Sequence, residues 1–320
     1  MTCTALNLTI PFSSKNHPRS FPLSGTRFRT RNPNRTLHRF HYHGFLREAE
    51  SSFARNYELS SVKRRRRLTP LATSLELPLL PFNLNEVLVP SESKTLHLYE
   101  ARYLALLEES LMKKKKLFVH FVLEPIIMND SSAEPSFAAR YGCLVYIENI
   151  ERLDVGALVS IRGLGRIKIV EFVQANPFLK GVVVPEKDKA PENLSSLSSK
   201  LTEVKEALKS LNSLEIKLKS PKEARLQTRT ANSLVWAEKK EPFLDCDEAF
   251  IPSLSERVSF AGFQPVSGST ESELLKLQRK KIRAMDVKDT LERFDELVEL
   301  IKENISIVAA KLAIQSIETQ

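Results

Sequence analysis

The sequence predicts an α+β protein, with a β-rich unit followed by a helical bundle that ends in a long helix. Between about Leu75 and Pro185, short apolar runs alternate with prolines and glycines, which is typical of strands. After Pro185, apolar residues recur at helical intervals. The 320 residues, 42% of them hydrophobic, suffice for one large domain or two small ones. No run of about 18 apolar residues occurs, so we expect no transmembrane helix.

The N-terminal segment, residues 1–72, has a different composition. Residues 1–74 contain 14 Lys and Arg against 3 acidic residues, none of them before Glu48, and they are rich in Ser and Thr. Such a segment cannot bury a core and is predicted to be disordered. Its composition is typical of an organelle transit peptide, and the uncharged opening Met1–Ser14 favours the chloroplast over the mitochondrion. A basic arm that binds RNA or a membrane is the alternative.

Removing that segment removes the net positive charge. The whole chain has a formal charge of +9, with 48 basic and 39 acidic residues. The part after residue 74 therefore keeps 34 basic and 36 acidic residues, a net charge of −2. Because nonspecific affinity for nucleic acid depends on the density of cations, this balance argues against a nucleic-acid partner.

Few residues remain for a metal or a nucleophile. Four of the six histidines lie before residue 72, which leaves His97 and His120 beside Cys143 and Cys246. Their spacing fits neither a zinc site nor a disulfide framework. Cys143 with His120 is the one thiol–imidazole pair that an enzyme hypothesis can use, and a core cysteine on a strand is the preferred interpretation. We therefore predict no catalytic residue, no metal site and no cofactor.

In the β-rich unit, residues 75–188, the first strand is Leu77–Phe82, which contains prolines and therefore suits a sheet edge or a strand end. A short apolar stretch, Glu86–Val89, follows it. Helical spacing then runs over Leu98–Met112, with Tyr99 and Tyr103 predicted to face the core. The cations of Lys113–Lys116 suit the solvated C-terminal end of that helix.

Four further strands alternate in hydrophobicity and are predicted at Leu117–Leu123, Cys143–Ile150, Arg166–Phe172 and Leu179–Val184. The polar stretch Pro125–Tyr141 is predicted to be a long hairpin loop. Asp154–Gly156 and Gly163–Gly165 are predicted turns, and the second lacks the following helix that a phosphate-binding loop needs.

The helical unit, residues 189–320, starts with an amphipathic helix of about twenty residues from Leu194. A polar helix containing Trp236 and a loop over Gly262–Ser272 are predicted next. The last helix is predicted to begin near Asp286 as its cap, with Asp289 three residues on. Its heptad stripe consists of Val287, Leu291, Phe294, Val298, Ile301, Ile305, Val308 and Leu312. We expect this stripe to pack within the chain, with a homodimer as the alternative.

Several motifs together resemble the N-terminal domain of Lon proteases. The opening Leu77–Phe82, the pair Val89-Pro90 and the stretch Leu96–Tyr103 are similar to the start of that domain, although Ser91 stands where a glycine is usual. The motifs that follow in the family's order are Tyr141–Cys143, Asp154–Gly156, Gly163–Arg166, Asn176–Leu179 and Met285–Val287. The resemblance extends over roughly Leu75–Ile317.

This resemblance implies a β-rich subdomain like that of PUA proteins, followed by a helical subdomain. It also implies a role, since in Lon proteases this domain helps to engage protein substrates. The chain contains no G-x-x-x-x-G-K-[ST] motif, so we expect a stand-alone plant plastid protein without ATPase or protease activity. Its expected partners are unfolded or client polypeptides and a plastid protease or chaperone. An RNA-binding PUA-like protein of the plastid is the alternative.

Two charged pairs are assigned structural roles. Glu100 and Arg102 are expected to fix the start of the helix at Leu98–Met112 rather than to hold a ligand. Arg166 and Lys168 alternate onto one face of their strand, and we expect that face to be solvated, with contact to a ligand as the alternative.

Overall fold

The computed structural model describes residues 3–4, 73–126, 136–219, 228–239 and 246–318. The predicted transit peptide, residues 1–72, lies outside the described residues except for Cys3–Thr4. These two residues form a short strand beside Leu96 and His97. The transit peptide therefore stays a prediction.

The predicted order of a β-rich unit and a helical unit is confirmed. The strands are β1 (Leu75–Asn83), β2 (Ser93–Leu98), β3 (Leu117–Ile126), β4 (Ser136–Arg152), β5 (Ala157–Gln174) and β6 (Lys180–Pro185). The helices are α1 (Ala101–Lys113), α2 (Leu194–Lys219), α3 (Arg229–Ala237), α4 (Leu254–Ala261), α5 (Glu271–Asp286) and α6 (Thr290–Glu318).

The strands of the β unit close into a barrel. Pairing runs in the order β5, β4, β3, β1 and β6, and β6 returns to pair with β5. Strand β2 pairs with the N-terminal part of β5, on the side away from β4, with Ser93 opposite Arg162. Closure removes most free strand edges, and the alternating inward residues, such as Leu79, Val119 and Leu144, are fully buried.

The first strand lies between two partner strands, which corrects the prediction that Leu77–Phe82 lies at a sheet edge or a strand end. β1 pairs with β6 over Leu75–Pro78 and with β3 over Leu79–Asn83. Within the described part of the chain, each half of β1 thus has a partner strand on one side only, and the other side has none. Because proline lacks an N–H donor, a strand with such a side tolerates Pro78 and Pro81.

The predicted loop over Pro125–Tyr141 is largely strand at both ends, since Ile126 pairs with Ser136. Only the middle, residues 127–135, lies outside the described residues. The prediction of a turn at Asp154–Gly156 is confirmed, with Gly156 at φ +85°.

The prediction of a turn at Gly163–Gly165 is wrong, because these residues lie within β5. A Cβ on Gly163 would lie 2.4 Å from Val89 O, and one on Gly165 would lie 2.7 Å from Phe250 O. The two glycines are thus explained by the close approach of two other backbone segments and not by a turn.

The C-terminal part contains two helices instead of one. Asp286 closes α5, Val287 is extended, and Asp289 caps α6 by accepting a 2.8 Å hydrogen bond from Leu291 N. The prediction that Asp286 caps the last helix is therefore wrong by three residues. Helices α4 and α5 were not predicted, while the loop over Gly262–Ser272 is confirmed as their connection apart from its last two residues.

Helix α6 packs against α2 and α4 within the chain. Phe294, Ile301 and Val308 of the heptad stripe are fully buried, whereas Val287 precedes the helix. Intramolecular packing is thus confirmed, and these buried side chains are not accessible to a second copy. The isoleucines that follow the stripe near the C-terminal end of α6 are exposed, with Ile314 at 57% and Ile317 at 73%. Among the described helices, none is long and apolar enough to cross a bilayer.

Candidate functional site

Arg166 of β5 connects the β unit with the helical unit. The Arg166 side chain is 1% exposed. Its guanidinium binds Asp188 and lies 3.0 Å from Glu256 Oε1. It also donates to Met285 O at 3.1 Å and Val287 O at 2.8 Å. The expectation of a solvated sheet face is therefore wrong for Arg166, because the corner between α5 and α6 covers it. Lys168, two residues on, is exposed as expected.

The Asp188 carboxylate also binds Arg293 and Thr290 of α6. Burial alone would raise the pKa of Asp188, but the hydrogen bonds from Arg293 and Thr290 and the charge of Arg166 hold the pKa below its ordinary value. Burial, followed by the charge of Asp188, raises the pKa of Glu256. We call this cluster the Arg166 joint. Its two carboxylates, Asp188 and Glu256, balance the charge of its two guanidiniums, Arg166 and Arg293, as a buried group of ions requires.

A second joint surrounds the turn that follows Val89-Pro90. Lys281 of α5 donates to Glu92 at 2.6 Å, and both side chains are almost fully buried. The Ser91 carbonyl accepts hydrogen bonds from Arg162 at 3.0 Å and Ser233 at 2.7 Å. Ser91 has φ +70°, so the turn adopts a left-handed conformation at this serine, where the resembling family usually has glycine. The two joints fix the helical unit against β5.

A cleft of about 290 Å³ lies beside the Arg166 joint, where β4 and β5 separate. The last pair between them is Gly142 with Ile167. Among the described strands, β4 pairs only with β3 before this point, and β5 pairs only with β6 beyond it. The corner between α5 and α6 forms the third wall, with Met285 and Asp286.

A bulge at Tyr141 opens this cleft. His120 pairs with Cys143 and Val122 with Arg140, so Phe121 alone faces two residues of β4. Tyr141 adopts the left-handed conformation at φ +51°, which is uncommon for an aromatic residue. A bulge bends its strand, and this bend directs β4 away from β5.

The charges of the cleft are unevenly matched. Arg140 lies 2.8 Å from Glu124 and 3.7 Å from Asp286, and Tyr141 Oη donates to Asp286 at 3.3 Å. Lys288 lies 2.6 Å from Glu186. Lys168 is exposed and makes no ion pair with any described residue. The wall formed by β5 thus presents one unmatched cation.

Cys143 and His120 lie opposite each other on β4 and β3, and both are fully buried. Burial raises the pKa of the Cys143 thiol far above its ordinary value. Burial and the charges of Lys94 and Lys281 hold the pKa of His120 well below its ordinary value. The pair is therefore held as neutral thiol and neutral imidazole, which is the opposite of an activated nucleophile. The interpretation of Cys143 as a core cysteine agrees with this geometry.

The predicted helix start lies apart from the cleft. Glu100 directly precedes α1, and Arg102 lies in its first turn. Arg102 Nε donates a hydrogen bond to Glu100 Oε2 at 2.8 Å, as expected. Tyr103 is buried, but Tyr99 is 36% exposed, so its assignment to the core is wrong. Tyr99 lies between β2 and α1, outside the helical stripe from which it was assigned. Within the described ranges, no three His, Cys, Asp or Glu residues cluster as a metal site would require.

Comparison with known proteins identifies the family. A family model described as the ATP-dependent protease La (LON) substrate-binding domain matches residues 76–315. The comparison with curated proteins gives no match.

Two solved structures are similar. The N-terminal domain of Mycobacterium avium complex Lon protease shares 14% identity over 71% of this chain and 98% of that chain, with a TM-score of 0.38. The Lon N-terminal domain protein from Xanthomonas campestris shares 23% identity over 52% of this chain and 92% of that chain, with a TM-score of 0.30. Since the family match covers three quarters of the sequence, the chain belongs to the Lon substrate-binding domain family.

Proposed function

We propose that this protein is a non-catalytic recognition module that binds unfolded or client polypeptides in the chloroplast. The observation that carries the proposal is the match of residues 76–315 to a substrate-binding domain. The cleft between β4 and β5 supports it, because strand edges beside a groove suit an extended polypeptide. The neutral, buried state of Cys143 and His120 supports a binding role over a thiol enzyme.

The proposed setting is plastid protein quality control, in which the module presents clients to a protease or chaperone. The composition of residues 1–72 supports import into the chloroplast, with the mitochondrion as the alternative destination. A fusion of residues 1–72 to the N-terminus of a fluorescent reporter tests which organelle imports the protein. We expect the reporter in chloroplasts of plant cells, and accumulation in mitochondria or the cytosol would refute this part of the proposal.

Polypeptide binding is tested by titrating the full chain against a fluorescent, permanently unfolded protein. A single-stranded RNA of similar size is the matched control, and both titrations are made at two salt concentrations. We expect polypeptide binding that persists at high salt. Binding of RNA alone, weakened by salt, would instead favour the RNA-binding alternative, because such binding depends on released counterions.

A further inference from the structure

The separation of β4 and β5 leaves a strand edge exposed in the cleft. Lys168 and Ile169 of β5 pair with Val184 and Val183 of β6 on one side. On the other side, within the described part of the chain, no strand pairs with β5 beyond Ile167. A strand edge without a partner presents backbone N–H and C=O groups that can pair with another extended chain.

The bulge at Tyr141 accounts for this free edge. An undistorted β4 would continue along β5 and cover it. Instead, the left-handed Tyr141 directs β4 away directly beside Gly142, the last residue that pairs with β5. A Cβ at Gly142 would lie 2.5 Å from Ile167 Cδ1, so the two strands are in tight contact where they begin to separate.

The charge on this edge selects the occupant. Arg140 and Lys288 are matched by carboxylates of the chain, whereas Lys168 makes no ion pair with any described residue. In paired strands, residues directly opposite each other have Cβ atoms about 5 Å apart, and opposite charges there are favourable. The chain's own N-terminal segment is a poor occupant beside Lys168, because residues 1–74 carry 14 Lys and Arg against 3 acids and are therefore repelled by a cation.

We propose that a client polypeptide binds as an added strand along the free edge of β5, with an acidic side chain opposite Lys168. This inference rests on the proposed function and specifies its binding mode and substrate class. The recognised feature is an extended segment that has a carboxylate at one position, with its main chain hydrogen bonded to β5 around Lys168. The added strand lies in the cleft between β5, the diverging β4 and the corner at Met285–Asp286.

The charge is tested with two extended ten-residue peptides that differ only in a central Glu or Lys. Binding to the full chain is measured by fluorescence anisotropy. We expect the Glu peptide to bind about two- to fivefold more tightly, the range of one exposed ion pair. Lys168→Glu should reverse this preference. The control Lys209→Glu, on the exposed face of α2, makes the same charge change away from the cleft and should keep the preference of the unmodified protein.

The main-chain pairing is tested with two N-methylated versions of the Glu peptide. Methyl groups on alternate residues remove the donors of one strand edge only. We expect one version to bind about tenfold more weakly or worse and the other to bind normally, because the added strand bonds to β5 by one edge. Equal binding of both versions together with an unchanged charge preference in Lys168→Glu would overturn the inference while the proposed function stands. Failure of every unfolded polypeptide to bind would remove the proposed function itself.

Discussion

Each terminal nitrogen of Arg293 lies 2.7 Å from a different carboxylate oxygen of Asp188, which places a bidentate ion pair between the end of the β unit and the long C-terminal helix. The Arg293 side chain is fully buried, and the side chain of Asp188 is 5% exposed. A paired and fully hydrogen-bonded charge is tolerated in such a place, while a single charge is not. Asp188 is thus the anion that the buried Arg166 and Arg293 share, while Glu256 is a second carboxylate beside Arg166.

We expect Asp188→Asn to lower the free energy of unfolding by about 3–5 kcal/mol at pH 7, because two buried guanidiniums lose their shared charge partner. The measurement is urea denaturation followed by circular dichroism. The matched control is Asp295→Asn, which breaks an exposed ion pair with Lys200 and should cost less than about 1 kcal/mol. Equal losses in both variants would contradict the assigned role of Asp188.

The difference in the free energy of unfolding between the unmodified protein and Asp188→Asn should depend on pH in one direction. The pKa of Asp188 is lower in the folded protein than in the unfolded chain. Its contribution is therefore complete above the unfolded value of about 3.9 and is lost as the pH falls through the lower folded pKa. The gap between the unmodified protein and Asp188→Asn should accordingly narrow below about pH 3.9.

The buried imidazole of His120 predicts a loss of stability in mild acid. His120 stacks on Phe82 with the ring centroids 3.8 Å apart, and neither ring nitrogen has a hydrogen-bond partner among the described residues. Burial keeps its folded pKa low, so only the unfolded chain gains this proton as the pH falls below about 6.5. Stability should fall by about 1.4 kcal/mol per pH unit from this group between about pH 6 and 5.

His120→Phe should remove that slope, because phenylalanine keeps the stacked ring and cannot be protonated. The readout is the free energy of unfolding at pH 5, 6 and 7 for both proteins. The slope is independent of any constant packing cost of the larger ring. A slope that remains unchanged in His120→Phe would show that another group accounts for the acid sensitivity.

Gly163→Ala tests the position of Gly163 within β5. Because the added Cβ would lie 2.4 Å from the backbone oxygen of Val89, the strand must shift, and we expect a loss of about 1–3 kcal/mol. Gly268→Ala is the comparison, since the nearest atom there is Lys311 Nζ at 4.0 Å. Its φ of +70° still costs about 1 kcal/mol. Chemical denaturation that shows no larger loss for Gly163→Ala would contradict the close contact with Val89.

The sequence predicted those features that depend on periodicity. Alternation located β3, β4, β5 and β6, and helical spacing located α1 and α2. The sequence could not show why position 163 is a glycine, because a glycine at a close backbone contact has the same local pattern as a glycine in a turn. Arg166 was misjudged for a related reason, since alternation assigns a residue to a sheet face but does not show whether helices cover that face.

The cleft was predicted only in part. Its residues Tyr141 and Gly142 belong to a recognised motif, yet nothing local to Tyr141 shows a left-handed conformation or the separation of β4 from β5. The break between α5 and α6 was hidden because Val287 continues the apolar spacing of α6 from outside the helix. Asp188 had no signal at all, since its partners Arg166 and Arg293 are distant in sequence.

The burial of the heptad stripe predicts that helix α6 stabilises the monomer. Phe294 is fully buried against its neighbours, and its truncation leaves a large cavity. We therefore expect Phe294→Ala to lower the free energy of unfolding by about 3–5 kcal/mol. The control Ile314→Ala changes an apolar residue that is 57% exposed on the same helix and should stay within about 0.5 kcal/mol.

Denaturation at two protein concentrations separates intramolecular packing from a homodimer through the stripe. If the stripe packs within one chain, the midpoint is independent of concentration for the unmodified protein and for both variants. A homodimer would make the midpoint rise with concentration, because dissociation and unfolding are then linked. Since Phe294, Ile301 and Val308 already pack within the chain, we expect no such dependence from this surface. A concentration-dependent midpoint that disappears in Phe294→Ala would refute the intramolecular assignment.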